Sequence, residues 1–305
     1  MDTEKSHEEV KKEVSKPSFK FNYDKYYKIL LIIPFILFAF SIIYLFTFYA
    51  STGDIVKKDV TLTGGTTLTI FDEELSLEEI ESALKPKFKD IVLRKLTDFR
   101  TGRPIAIILE TQGDHKELKQ EVEDFLGYKL TTKNSSLEFT GSALSGSFYN
   151  QLIKAVLIAF FFMIIVVFFI FRSFLPSTYV ILSALMDIVV PLAIINLLGI
   201  SLSTAGVAAF LMLIGYSVDT DILLTTKVLK RREEPLNQRI FGALKTGLTM
   251  TFTSLAAVLV AYFVVISPVL KQVFLILAIG LAVDLVATWL MNASLLKWYM
   301  ESKEK

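Results

Sequence analysis

The sequence predicts an α-helical integral membrane protein of six transmembrane helices, with an α+β ferredoxin-like domain between helices one and two. Three observations lead there. Charged residues collect at the N-terminus, in 51–140, around 227–245 and at the C-terminus, and apolar runs of about 20 residues lie between them. Such a run crosses about 30 Å of hydrocarbon at 1.5 Å per residue. Residues 51–150 carry the periodicities of a soluble fold instead, and Lys and Arg divide unevenly between two sets of loops.

Residues 1–28 are polar, contain Pro17 and show no periodic apolar face. They read as a cytoplasmic tail, mobile or lying on a surface. The apolar run that follows is too long for a cleavable signal, and no small-residue cleavage site stands out. The first membrane helix is predicted at 29–50. Five more are predicted within 151–298, at about 152–172, 177–198, 203–226, 241–267 and 272–297, before a tail at 299–305.

Lys16, Lys20, Lys25, Lys28, Arg172, Lys227, Lys230, Arg231, Arg232, Arg239 and Lys297 all fall on one side of this arrangement. The opposite short loops, near 199–202 and 268–271, offer only Lys271. The positive-inside rule then places both termini in the cytoplasm and residues 51–150 outside a cytoplasmic membrane.

Within 51–150, Val60–Phe71 alternates as a strand does, interrupted by Gly64-Gly65, a pair that reads as a bulge or a close backbone approach. Ser76 to Glu79 forms a capping box before a helix with Leu77, Ile80 and Leu84 on one face. Lys89–Leu96 and Pro104–Thr111 read as strands around a turn with Gly102. Asp114 and Glu117 open a second helix carrying Leu118, Val122 and Phe125, and Ser136–Thr140 closes the set. The order β-α-β-β-α-β is the ferredoxin-like pattern.

Composition excludes several chemistries. There is no cysteine, and the two histidines, His7 and His115, lie outside the apolar runs. Proton chemistry in the membrane therefore falls to carboxylates, a lysine or water. No P-loop or metal-ligand cluster is present, so no cofactor, metal or enzymatic activity is expected. A net charge of +1 without an aromatic-interleaved basic stripe gives no reason to expect nucleic acid. An intramembrane aspartyl protease would need Tyr-Asp and Gly-x-Gly-Asp in the appropriate helices, and these are missing there.

Four carboxylates do fall in predicted spans: Asp187, Asp219, Asp221 and Asp284. An acid at a helix centre costs about 2.5–3.5 kcal/mol on insertion scales, so it ordinarily faces a bundle interior or a wet cavity. Asp187 and Asp284 sit mid-span, and Asp219 lies eight residues before Lys227. Asp219 and Asp221 are about 200° apart on a helix and cannot share a face.

Asp219 shares a stripe with Gly215, which permits close helix approach, and is predicted to be the buried acid. Lys245, early in the fifth span, is its predicted partner: pairing stabilises the carboxylate and desolvation opposes it, as a proton relay requires. Asp221, on the stripe of Ser217, reads equally as a helix-end charge beside Lys227 or Arg231. Asp187 reads also as a structural carboxylate serving backbone groups freed by Pro191.

The stretch Ile214-Gly215-Tyr216-Ser217-Val218-Asp219, its basic exit, the Gly64-Gly65 pair and the Thr/Gly-rich run 246–254 resemble the SecF family, over about residues 29–298. The resemblance implies an RND-type half, a SecD-like six-helix membrane subunit as partner, and contact with the Sec translocation channel and translocating polypeptide. It also implies late-stage assistance to protein export driven by the proton-motive force. Bacterial members place the acid one position later, where this chain has Thr220, and an arginine where it has Lys245; Val218-Asp-Thr-Asp221 suggests the archaeal type. The competing expectation is a half-size RND-type exporter of lipids or small amphiphiles, which would need a larger external domain and a second half.

Overall fold

The computed structural model describes residues 23–72, 75–97, 103–230 and 234–303. The tail expected at 1–28 lies outside these up to residue 22, as do the turn at Gly102 and the loop residues Arg231 and Arg232. Among the described residues, six helical spans are long and apolar enough to cross a membrane: Tyr26–Thr52, Tyr149–Phe171, Phe174–Leu197, Thr204–Lys230, Leu236–Val264 and Pro268–Lys303. The first is formed by α1 (Tyr23–Leu30) and α2 (Ile32–Thr52), so helix already occupies residues 23–28, which the sequence reading assigned to the tail.

Between the first and second spans come α3 (Val60–Thr63), β1 (Gly65–Ile70), α4 (Leu77–Leu84), β2 (Val92–Thr97), β3 (Pro104–Thr111), α5 (His115–Leu126) and β4 (Ser135–Thr140). The strands form one antiparallel sheet in the order β2-β3-β1-β4. Alternation gives it two chemically different faces. Leu68, Ile70, Ile107 and Leu109 point to one side, where Ile80, Leu84, Leu118 and Val122 of α4 and α5 cover them as a closed core. Thr67, Thr69, Arg94, Ile108 and Glu110 point to the other side, toward the helix ends.

Two local expectations are corrected here. Val60–Phe71 is not one strand. Asp59 accepts a hydrogen bond from the Thr61 backbone N–H at 3.2 Å and starts the short helix α3 instead. Gly64 (φ 85°) then ends that helix, and β1 begins at Gly65 (φ 146°), where a Cβ would strike the Thr111 carbonyl. The predicted capping box at Ser76 does not form: its hydroxyl donates to Glu78 Oε2 at 2.9 Å and makes no backbone cap.

The remaining helices are α6 (Ser142–Phe171), α7 (Phe174–Leu197), α8 (Thr204–Lys230), α9 (Leu236–Val264) and α10 (Pro268–Val286). α10 passes through a π-helical segment, Ala287–Asn292, into α11 (Ala293–Lys303). α8 is the central element, packed against α6, α7, α9 and α10. Small residues set the close approaches. A Cβ at Gly206 would meet Leu202 and Ile276, one at Gly280 would meet Leu213, and one at Gly247 would meet the Trp289 ring. α2, α6 and α9 expose long apolar faces, including Phe46, Phe162 and Val260.

The sheet domain is sewn to the bundle through the chain that enters it. Asn196 Nδ2 donates to the Ile55 carbonyl (2.7 Å) and its Oδ1 accepts from the Lys57 N–H (3.1 Å). Leu202 exchanges backbone hydrogen bonds with Lys57 and Asp59 at 2.7 and 2.9 Å, and Thr61 Oγ1 accepts from the Thr204 N–H at 3.1 Å.

Candidate functional site

Three of the four predicted membrane carboxylates meet in the centre of the bundle. Asp187 comes from α7, Asp221 from α8 and Asp284 from α10, and all three are fully buried. Three helices each contribute one acid because their inward stripes converge along α8, where Ser217, Thr220 and Asp221 lie on its buried side.

The cluster is held by hydroxyls and an amide. Ser217 donates to Asp187 Oδ2. Thr220 Oγ1 lies 3.1 and 3.2 Å from the two Asp284 oxygens and 2.8 Å from the Ser217 carbonyl. A hydroxyl has one proton to give; when Thr220 gives it to Ser217, the contact with Asp284 needs its hydrogen from the carboxyl. Thr288 donates to Asp284 Oδ1 at 3.0 Å, and Asn292 Nδ2 donates to Asp221 Oδ1 at 2.7 Å.

The set is not saturated. Asp187 Oδ1 and Asn292 Oδ1 are buried without a hydrogen-bond partner among the described residues, and Ser183 Oγ stands beside the Asp221 carboxylate. Among the described residues, no Lys or Arg lies within ion-pair distance of the three acids. Three negative charges in one desolvated volume without a cation are mutually excluded by Coulomb repulsion and lost hydration. The arrangement is chemically suited to holding and exchanging protons between carboxyls and hydroxyls. The π-helical turn follows Asp284 and carries Thr288 and Asn292, the kind of local irregularity that often accompanies functional groups in helices.

Asp219 is the correction. It is exposed, as are Gly215 and Tyr216 on the same flank of α8, and a Cβ at Gly215 would meet nothing within 4 Å. The close approach expected there is made elsewhere, at Gly206 and Gly280. Lys245 is exposed on α9 beside a shallow groove with Thr249, Phe252 and Thr253, and no Asp219–Lys245 ion pair forms among the described residues. Asp221, read as a possible helix-end charge, is the buried acid of the pair. Asp187 does not serve backbone groups freed by Pro191; its bond is to Ser217.

Thr288, Asn292 and Ser183 were not predicted, although a signal existed. Asp284, Thr288 and Asn292 recur every four residues, which marks one stripe of a helix. Of the family-motif residues, Ser217 is in the cluster, Gly215 and Tyr216 lie on the exposed flank, and Gly64 and Gly65 shape the entry to the sheet.

Comparison with known proteins places this geometry. Residues 121–302 match the family model for the protein export membrane protein SecD/SecF, C-terminal. The chain belongs to this family. It is 39% identical to the protein-export membrane protein SecF of Methanocaldococcus jannaschii over 283 residues, covering 90% of this chain and 96% of that protein. It is 38% identical to the SecF of Methanothermobacter thermautotrophicus over 252 residues, covering 81% and 85%.

The crystal structure of SecDF from Thermus thermophilus, described as a translocon-associated membrane protein, superposes with a TM-score of 0.77 at 20% identity. That match covers 92% of this chain and 39% of the SecDF chain. This SecF-family chain is thus a multi-pass protein of the cytoplasmic membrane with a non-catalytic, accessory role in Sec protein export.

Proposed function

We propose that this chain couples the proton-motive force to protein export through the buried carboxylates Asp187, Asp221 and Asp284, working beside a SecD-like six-helix subunit. The observation that carries the proposal is the convergence of three acids from three helices, with no cation beside them among the described residues, on one hydroxyl- and amide-lined seam. A proton arriving at one acid changes which hydrogen bonds Ser217, Thr220, Thr288 and Asn292 can make. Because these groups sit on different helices, a change of proton position is a change in helix-to-helix contact.

In this reading both termini lie in the cytoplasm, as the Lys and Arg distribution directs. The sheet domain is in the same reading a ferredoxin-like fold, which its strand order supports, and it meets the emerging polypeptide outside. Asp219 and Gly215, exposed on α8, and Lys245, exposed on α9, are offered to the SecD-like partner, where charge pairs between subunits replace the internal pair expected from sequence. The Sec channel and the translocating polypeptide are the remaining partners. The match to SecF relatives over nearly their full length favours this reading over a half-size exporter of small amphiphiles.

The test is proton movement in proteoliposomes holding this chain with its SecD-like partner, read with a pH-sensitive dye under an imposed potential. Asp187→Asn, Asp221→Asn and Asp284→Asn each keep the shape of the side chain and remove its proton exchange. The expected result is at least a tenfold loss of flux for each, with export of a secreted reporter impaired in cells. Wild-type flux in all three variants would refute the relay.

A further inference from the structure

A second group of acids, outside the membrane spans, points to a function that the buried relay does not absorb. The open face of the sheet and the helix ends enclose a cleft of about 570 Å³, lined on the sheet side by Thr67, Thr69, Arg94 and Glu110 and on the bundle side by Ser203, Tyr262 and Gln272. Arg94 is the bridge across it. Its Nη2 donates to Glu110 Oε2 at 3.1 Å and to Ser201 Oγ at 2.9 Å, tying β2 and β3 to the loop between α7 and α8. Gln272 Nε2 reaches the Ser201 carbonyl at 2.5 Å from α10 and fixes that loop.

We propose that Glu110 is a proton-binding site through which the pH around the sheet domain controls how firmly that domain docks on the helix ends. The geometry supplies the two states. With its carboxylate ionised, Glu110 shares the Arg94 guanidinium with a second acid, Asp59, and the two negative charges repel each other in the cleft against Arg94 and Lys57. Once Glu110 is protonated, Arg94 is left with Asp59 alone, and both the repulsion between the two acids and the cost of a buried carboxylate are removed.

The groups facing Glu110 are Asp59 and Lys57 from the entering chain and Arg94 from β2. Lys95, Glu138, Tyr262 and Lys271 stand around the rest of the cleft. Burial, followed by the Asp59 charge, carries the Glu110 carboxyl from its ordinary 4.5 to about 7, with Arg94 and Lys57 opposing. Asp59 is also raised, first by burial.

The sign follows from linkage. A carboxyl raised in the docked state binds its proton more tightly there than when the domain is free. Docking is therefore strongest below pH 4.5 and weakens as pH rises to about 7, where the effect is complete. Its upper limit is a roughly 300-fold fall in the docking constant between those two pH values. Neither the orientation of the chain nor the buried relay enters this linkage.

The absence of native cysteine makes labelling straightforward. Spin labels at Lys119→Cys on α5 and Leu198→Cys after α7 report the distance between domain and bundle by double electron–electron resonance, on the full chain in nanodiscs. One narrow distance is expected at pH 5, with a longer, broader population growing toward pH 8. Glu110→Gln, which keeps the hydrogen-bonding shape without the charge, should hold the narrow distance at both pH values. Glu138→Gln, exposed on the same sheet face, should leave the wild-type response intact. An unchanged distance in the wild type, or a full pH response in Glu110→Gln, would overturn the proposal. Loss of the response in Asp59→Asn with its persistence in Glu110→Gln would assign the proton to Asp59 and overturn it equally.

Discussion

The seam inside the bundle and the cleft beneath the sheet both bury acids, and they satisfy them in opposite ways. In the seam, Asp187, Asp221 and Asp284 are met by Ser217, Thr220, Thr288 and Asn292 and, among the described residues, by no cation. In the cleft, Asp59 and Glu110 lie around Arg94. Hydroxyls and amides bind a carboxyl in either protonation state, whereas a guanidinium binds only the charged form strongly. The seam is therefore permissive toward proton traffic, and the cleft is a two-position device. Removing one partner in each place separates these behaviours.

The largest effect is expected at Arg94. Arg94→Met keeps much of the apolar stem but leaves Glu110 and Asp59 without their shared cation, a loss of about 3 kcal/mol where one member of a buried pair is stranded. The penalty belongs to the ionised acids, so it is full above neutral pH and fades toward pH 4.5 as Glu110 takes up its proton. Denaturant unfolding of the sheet domain at pH 8 and pH 5 checks this. An equal loss at both values would mean that Arg94 acts through packing alone.

A smaller effect is expected in the seam. Asn292→Leu removes the amide that binds Asp221 Oδ1, leaving a buried oxygen unsatisfied at a cost of about 1–3 kcal/mol. Thermal unfolding in detergent reads that cost. Because the amide serves a neutral carboxyl as well as a charged one, the loss should be nearly the same from pH 5 to pH 8. A strong pH dependence would show that Asp221 changes its charge between those values and needs the amide in only one of its two forms, and would make the seam resemble the cleft.

How much of this was legible in the sequence depends on which physical signal each feature leaves. Span length and charge blocks leave strong ones, so the apolar spans and the intervening α+β segment could be read directly. The convergence of Asp187 and Asp284 was not readable, because it depends on helix packing. The choice between Asp219 and Asp221 went to the wrong residue for a specific reason. A helical period says that the two acids face opposite ways; it does not say which way is inward. Gly215 suggested an interface, but a glycine stripe promotes close approach only where another helix lies against it, and here that happens at Gly206 and Gly280. Asp284-x-x-x-Thr288-x-x-x-Asn292 was the better clue, since three polar groups on one stripe of a membrane helix need a shared interior. Val60–Thr63 misled in a different manner: the alternation was real, but the Asp59 cap offered its backbone a helical turn instead.

The smallest effect on the isolated chain is expected at Asp219, and that is what makes it informative. The side chain is exposed, so Asp219→Asn should change the stability of the purified chain by less than about 0.5 kcal/mol, as surface substitutions usually do. If its flank receives the SecD-like partner, the same substitution should reduce recovery of the co-expressed pair in detergent, and raised salt should weaken the wild-type pair toward the variant's level. Asp221→Asn, facing inward two residues away, should leave recovery of the pair unchanged while stopping proton flux. Equal recovery of wild type and Asp219→Asn would remove the exposed acid from the interface. Loss of pairing in both variants would mean that the inner and outer faces of α8 are not independent, and that a proton in the seam is felt directly by the partner.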